Sequence, residues 1–435
     1  MSQSSRILAV AFAVSSVSLS AAQTPDVCAN ARSAKAAGSA KGNVTPAEVC
    51  RVLSVLAHDS LEGRGTGTAG GAKAARFIAD EMRAAGLEPG GDSGYFQRVP
   101  IVRVSRGGRP MAVASFAVRD TFPAEQRGLA VNVIGILRGS DPVLKDSVVL
   151  VDAHYDHLGL RAGGPLDIDS VQAFAALAAP ILAERAQYAK TNNISLRGRG
   201  GAAMTDEQRA AVAGFQSRID ALRVDMSAVR RAHPKARTDS VYNGADDDAS
   251  GTVAVIEIAK QMARGPKPKR TIVFAATTGE EVGLVGTRWY IEHPVMPLAA
   301  MQANLEIEMI ARPDSLAGGP GQAWLTGFER STMGPSFASA GLAVVPDKRP
   351  DQGFFSRSDN IAFARMGIPA HTLSTFNLHT DYHQLTDEIT MVDFAHMAGV
   401  INIGVKAVEL LANGPAPHWN PGGQPVAPPA RPATP

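Results

Sequence analysis

Cysteine is nearly missing from this chain: 435 residues contain two, Cys28 and Cys50, and neither stands in a pattern that offers a thiol nucleophile or a metal ligand. An excess of charge of either sign is missing too. Lys and Arg number 43 against 41 Asp and Glu, a net of +2, so the basic footprint of a nucleic-acid binder is absent. Beyond the N-terminus no segment approaches ~20 uninterrupted apolar residues, which excludes an evident bilayer span from the mature chain. There is no internal repeat, and no HExxH helix to hold a metal between two histidines.

What is present is a globular composition. With 45% hydrophobic and 19% charged residues the chain can bury a substantial core, in one large or two ordinary domains. Residues 1 to 22 are expected to be an export signal: one Arg in MSQSSR, the short apolar run ILAVAFAVSSVSLSA, and the small residues Ser20, Ala21 and Ala22 where cleavage would fall. Export points to the periplasm or the exterior, with no membrane attachment after signal removal. In that oxidising setting Cys28 and Cys50 are either one disulfide, adding about 3 kcal/mol on the chain-entropy model, or two unrelated thiols.

From Thr45 to Gly86 two helical patterns frame the glycine-rich loop LEGRGTGTAGG. Strand-like runs follow at 130 to 137 and 147 to 155, the second almost wholly apolar as in a strand buried on both faces. Helix GTVAVIEIAKQMA, strand RTIVFAAT, a helix from Val285, and strands at 303 to 309 and 368 to 374 continue the alternation. That order predicts an α/β fold, three layers with a central mixed, largely parallel sheet, over 45 to 412. Residues 160 to 240 interrupt it with a helical hairpin. Its first helix is expected to break or kink at Pro180. Its second opens on a Thr205-x-x-Gln208 capping box and carries an apolar stripe from Val212 to Val229. The glycine- and arginine-rich NNISLRGRGG joins the halves, and residues 413 to 435, rich in proline, read as a disordered tail.

Polar residues gather at the ends of the predicted strands, where open α/β sheets place ligand sites. His154 and Asp156 close one strand, two apart and so on one side. A carboxylate there can accept the second ring N–H of a metal-bound imidazole. Glu280 and Glu281 follow another strand, and an adjacent pair suits one metal ligand and one proton carrier. Glu306 and Glu308 share a face of NLEIEMIAR, and FNLHTDYHQLTDE supplies His379, Asp381, His383 and Asp387. Taken singly each has a bland reading as a capped strand end or a solvated loop. Taken together, two histidines and at least three carboxylates without cysteine make a donor set for a pair of divalent ions, and the triplet Asp246, Asp247, Asp248 offers a carboxylate to bridge them.

With those residues in place the chain resembles the M28 family of zinc peptidases, the co-catalytic two-zinc aminopeptidase group. The motifs stand in family order from about Thr45 to Ala412: LEGRGTG, NVIGILRGSD, AHYDHLG, YNGADDDASG, TGEEVGLVG, NLEIEMIAR, SRSDNIAFARMGIPA and DYHQLTDE. The resemblance implies two zinc ions. It makes His154 the ligand of one and Asp156 its orienting partner, with Asp247 the bridge, beside a cis peptide to Asp248. It makes Glu280 the general base, and Glu281 with His383 ligands of the other ion. The remaining carboxylate aligns with Glu308, where the family more usually has Asp, and Glu306 stands as the alternative. His379 is left as a neighbour.

The implied activity is removal of N-terminal residues from peptide substrates. A carboxypeptidase-like or other amide hydrolase, a silent peptide-binding protein and a single-zinc cyclase are the competing readings. Because 93 residues separate His154 from Asp247, with the helical hairpin between them, the insertion is expected to overhang the site as a lid or pocket wall. The sequence sets no oligomeric state.

Overall fold

The computed structural model describes residues 27–39, 42–103, 110–192, 194 and 204–426. The expected signal at 1 to 22 and most of the 192 to 201 connection lie outside the described residues. Seven strands carry the central sheet: β1 Phe96–Val102, β2 Arg127–Leu137, β3 Val148–His154, β4 Thr271–Thr277, β5 Met301–Ile307, β6 Ala323–Leu325 and β7 Ala370–Ser374. Their order is β6, β7, β5, β3, β4, β2, β1, with short strands added at its margins. Strands β7, β5, β3 and β4 run parallel, while β2, β1 and β6 are antiparallel to their neighbours. This is the mixed sheet expected.

Both faces are covered, as the apolar strands require. Val149, Val151 and Ala153 point into one layer with the helices Pro46–Leu56, Ala69–Ala84, Ala249–Arg264 and Phe394–Asn413. Val148 and Leu150 point the other way, toward Tyr290, Ile361 and Phe363. The helix Phe394–Asn413 is long and apolar enough to cross a bilayer, yet 72% of that apolar stretch is buried inside the fold. It is a core helix. Cys28 and Cys50 form a disulfide with Cα atoms 5.7 Å apart, tying the N-terminal segment to the Pro46–Leu56 helix.

The insertion differs from its expected form in two places. The helix Ile168–Thr191 runs through Pro180 without a break. The second expected helix is two, Asp206–Asp220 and Met226–Ala232, because Asp225 accepts hydrogen bonds from the N–H groups of Ser227 and Ala228 and so starts a new helix. The stripe is divided there, burying Ile219 and Val229 and leaving Met226 exposed. The Thr205/Gln208 capping box forms as read. Two short antiparallel pairs make the stem: Gly159–Leu160 with Val241–Tyr242, and Leu166–Asp167 with Thr238–Asp239.

The tail also corrects expectation as far as Val426. Trp419 donates its indole N–H to Gly367 O at 2.9 Å and lies against Phe355 and His371, so an aromatic anchor docks a proline-rich stretch on the body. The rest, 427 to 435, lies outside the described residues.

Candidate metal centre

Four parallel strands end at one edge of the sheet, and each delivers part of the cluster. His154 is the last residue of β3, Glu280 and Glu281 follow β4, Glu308 follows β5, and His383 lies in the loop after β7. Asp247 precedes the helix Ala249–Arg264, whose N-cap is Asp248. The Asp248 carboxylate accepts from Gly251 N at 2.9 Å and from Met309 N at 3.0 Å, so one side chain caps the helix and fixes the backbone beside Glu308. The peptide between Asp247 and Asp248 is cis. Asp387 accepts from the N–H groups of Asp246 and Asp247. Gly251 has to be glycine, because a Cβ there would lie 2.0 Å from Ile307 O.

Two sets of three donors converge, His154 with Asp247 and Glu308, and His157 with Asp247 and Glu281. His154 Nε2 lies 3.4 Å from Asp247 Oδ1 and 3.8 Å from Glu308 Oε1. His383 Nε2 lies 3.1 Å from Asp247 Oδ2 and 3.2 Å from Glu281 Oε2. Buried polar atoms are ordinarily hydrogen-bonded, yet His154 Nε2, Asp247 Oδ2, Glu281 Oε1 and both ring nitrogens of His157 have no hydrogen-bond partner. Imidazole and carboxylate atoms oriented toward a common centre, unsatisfied by one another, fit divalent zinc.

The electrostatics agree with that demand for positive charge. Burial opposes charge on His154, but the Asp247 and Glu308 oxygens outweigh it and hold the imidazole well above its usual pKa. Burial likewise opposes the His383 charge, and Asp247 with Glu281 raises it to about 10. Glu281 would be pushed up by burial and by Asp247, yet His157 and His383 bring it down to about 2. Glu280 behaves oppositely. Burial, reinforced by the Glu308 and Glu281 charges against the opposing pull of His154, drives it well above the usual carboxylate range.

Asp156 departs from the orienting role expected of it. His154 Nδ1 is 3.0 Å from the main-chain oxygen of Asp156 and 3.8 Å from its carboxylate. The carboxylate instead accepts from Gly279 N at 2.7 Å, Glu280 N at 3.2 Å and Thr66 Oγ1 at 2.8 Å, so it holds the turn that carries Glu280. Burial pushes it up to about 6. Glu306, the alternative to Glu308, points away from the cluster. It accepts from Ser358 Oγ, Asp359 N, Asn360 N and Thr372 Oγ1, which occupy its oxygens. His379 contacts Asp246, with Nε2 and Oδ2 2.9 Å apart.

Two residues escaped the sequence reading. His157 stands in the AHYDHLG motif but beyond the end of β3, where strand alternation no longer predicts direction. Arg64, the arginine of LEGRGTG, is fully buried and donates to the carbonyls of Leu56, Tyr155, Asn243 and Gly244. It clamps the segment after His154 to the segment before Asp247, and burial lowers it to about 10 against the pull of Asp387 and Asp247. A single arginine in a glycine-rich loop carries no such signal in sequence. Beside the cluster lies a small pocket walled by Met309, Trp324, Phe354, Phe376 and Tyr382, with Arg357 at its side. Among the described residues, none from the insertion lines it.

The fold is a three-layer α/β sheet structure whose parallel strand ends gather two donor groups, sharing Asp247, that could hold a divalent metal. Comparison bears out the resemblance read from the motifs: residues 223–406 match the model of peptidase family M28. That span includes Asp247, Glu280, Glu281, Glu308 and His383. The chain is 32% identical to leupeptin-inactivating enzyme 1 of Streptomyces exfoliatus over 30% of this chain and 29% of that protein. It is 26% identical to the probable lipoprotein aminopeptidase LpqL of Mycobacterium tuberculosis over 51% of each. The match thus spans about half or less of these relatives' length. A zinc aminopeptidase from Bacillus subtilis shares the fold with TM-score 0.51 and 14% identity, covering 86% of this chain and 96% of that one. An aminopeptidase from Aneurinibacillus sp. strain AM-1 gives 0.50 and 13%, over 87% and 96%.

Proposed function

We propose that this protein is an exported zinc-dependent aminopeptidase that hydrolyses N-terminal peptide bonds at a two-ion centre. The observation that carries this reading is the pair of convergent donor sets sharing Asp247, with Glu280 beside them and free of any ligand set. His154, Asp247 and Glu308 would hold one ion, and Asp247, Glu281 and His383 the other. Zinc bound there supplies a polarising charge for the scissile carbonyl and makes a water acidic enough to deprotonate near neutral pH. Glu280, whose burial keeps it eager for a proton, takes one from the attacking water and returns it to the leaving amine. Asp156 keeps the Glu280 backbone fixed through the N–H groups of Gly279 and Glu280. The aromatic cavity beside Asp247 and Glu280 is suited to one apolar side chain next to the scissile bond. Export is supported by the N-terminal signal pattern and by the disulfide, which persists in oxidising compartments.

One observation favours a second reading. Arg357 lines the cavity with Nη1 unbonded, and a guanidinium can recognise a substrate carboxylate. That would suit a carboxypeptidase-like enzyme, and a probable glutamate carboxypeptidase of Arabidopsis thaliana is 26% identical over 34% of this chain. Aminoacyl p-nitroanilides, their N-acetylated forms and C-terminal dipeptides, offered to metal-free and zinc-restored protein, separate the two. Zinc-dependent hydrolysis of the free-amine substrates alone is expected. Turnover of the acetylated forms would overturn the aminopeptidase reading.

A further inference from the structure

His157 is 2% exposed, and a histidine so buried ordinarily spends at least one ring nitrogen on a hydrogen bond. Neither nitrogen here does so. Nδ1 nevertheless lies 2.8 Å from Glu281 Oε1 and 3.8 Å from Asp247 Oδ2, and those two oxygens also lack hydrogen-bond partners. Three donor atoms drawn together without hydrogen-bond geometry are disposed as ligands around a centre.

The ring is held where it is. Gly244, at φ +51°, runs beneath it so closely that a Cβ at 244 would lie 2.6 Å from ring carbons Cδ2 and Cγ. The backbone on the other side of Gly244 is clamped by Arg64. His383 approaches the same two carboxylates from the open side, one third exposed. The two imidazole centroids are 5.7 Å apart at 66°. Two imidazoles bound at ~2.0–2.1 Å to one zinc have centres on the order of 5 Å apart, so both fit a single ion.

We infer that His157 is a ligand of the second ion and makes the two subsites unequal: His157, Asp247, Glu281 and His383 close one, while His154, Asp247 and Glu308 leave the other with an open position. Zinc held by four protein ligands is closed off, as in structural sites, whereas three leave a position for water or substrate, as in catalytic ones. The inference rests on the proposed metallopeptidase reading and deepens it. His157, Asp247, Glu281 and His383 would retain a bound ion, and His154, Asp247 and Glu308 would release one more readily.

The test uses the full chain, stripped by a strong chelator and titrated with zinc or cobalt, with bound metal counted by mass spectrometry. Two equivalents are expected, the first retained against a weak chelator that removes the second. X-ray absorption on the sample with one equivalent should count two imidazoles. Replacing His157→Asn or His157→Ala should lower the affinity of that first equivalent by about 10–100-fold or more and change the visible spectrum of the cobalt form. Simultaneous loss of both ions, one imidazole at one equivalent, or variants with unchanged affinity and spectrum would overturn the inference while leaving the metallopeptidase reading in place. If neither variant folds, the imidazole count on the unaltered protein decides alone. Failure to bind any zinc would defeat the underlying reading as well.

Discussion

The loops that carry the candidate ligands and the helical insertion between two of them are built on opposite principles. Around Asp247 nearly every polar side chain is buried, and carboxylates are braced by main-chain N–H groups from distant segments. Asp387 holds Asp246 and Asp247, Asp248 holds Gly251 and Met309, and Asp156 holds Gly279 and Glu280. In the insertion the helices show mostly exposed residues. They are tied by surface-type pairs such as Glu184 with Arg218 and by the stem contacts of Asp167 with Arg230 and Asp169 with Arg237. Exposed ion pairs add little stability, whereas breaking a buried bonded network is expensive. The lesson is that buried, braced hydrogen bonding is concentrated where ions would have to be held to a fixed geometry, and the segment that divides the ligands in sequence is held mainly by surface contacts.

The largest effect should come from the one group in the braced region assigned to move a proton. Glu280→Gln should cut turnover about 10²–10⁴-fold with zinc content unchanged. Near-full activity would remove Glu280 from that role. Next, Arg64→Met should destabilise the protein by about 3 kcal/mol or more, because four buried carbonyls lose a charged donor, and should lower zinc occupancy. A denaturation midpoint unchanged from wild type would show that the clamp is dispensable.

The third effect is graded with pH. Without metal His383 is held protonated up to about 10, so an ion that binds it must displace a proton, and higher pH favors binding. Zinc affinity measured from pH 6 to 9 should therefore climb, by up to about tenfold per pH unit for each proton displaced. A flat profile would argue against His383 as a ligand. The smallest effect belongs to the insertion. Deleting residues 165 to 235 should leave zinc content and the hydrolysis of single-residue p-nitroanilides nearly unchanged, while altering relative rates on longer peptides. Unchanged relative rates across peptide lengths would end the lid hypothesis, and lost zinc would break the contrast between the two regions.

Much of this was legible in the sequence because it rests on local pattern. The apolar β3 and the capping box at Thr205 follow from periodicity and side-chain chemistry within a few residues. That polar residues gather at strand ends could be read from the α/β pattern, since parallel strands deliver their ends to one edge, while the choice of His154, Asp247, Glu280, Glu281, Glu308 and His383 among them came from the family resemblance. What escaped depends on distant partners. Arg64 is explained only by carbonyls up to 180 residues away. His157 is explained only by a ring packed over Gly244. The role of Asp156 followed its main-chain neighbours rather than its spacing from His154. Similarly, an apolar stripe cannot reveal that one helix will end at Asp220 and Asp225 will cap another, nor can proline content reveal that Trp419 will dock the tail.

The most direct test of the central claim is a zinc titration of the metal-free full chain that follows bound metal and hydrolysis of an aminoacyl p-nitroanilide together, with the N-acetylated substrate in parallel. The account predicts two equivalents bound, activity that appears with zinc, and no turnover of the acetylated substrate. Activity without metal, or equal turnover of both substrates, would contradict it.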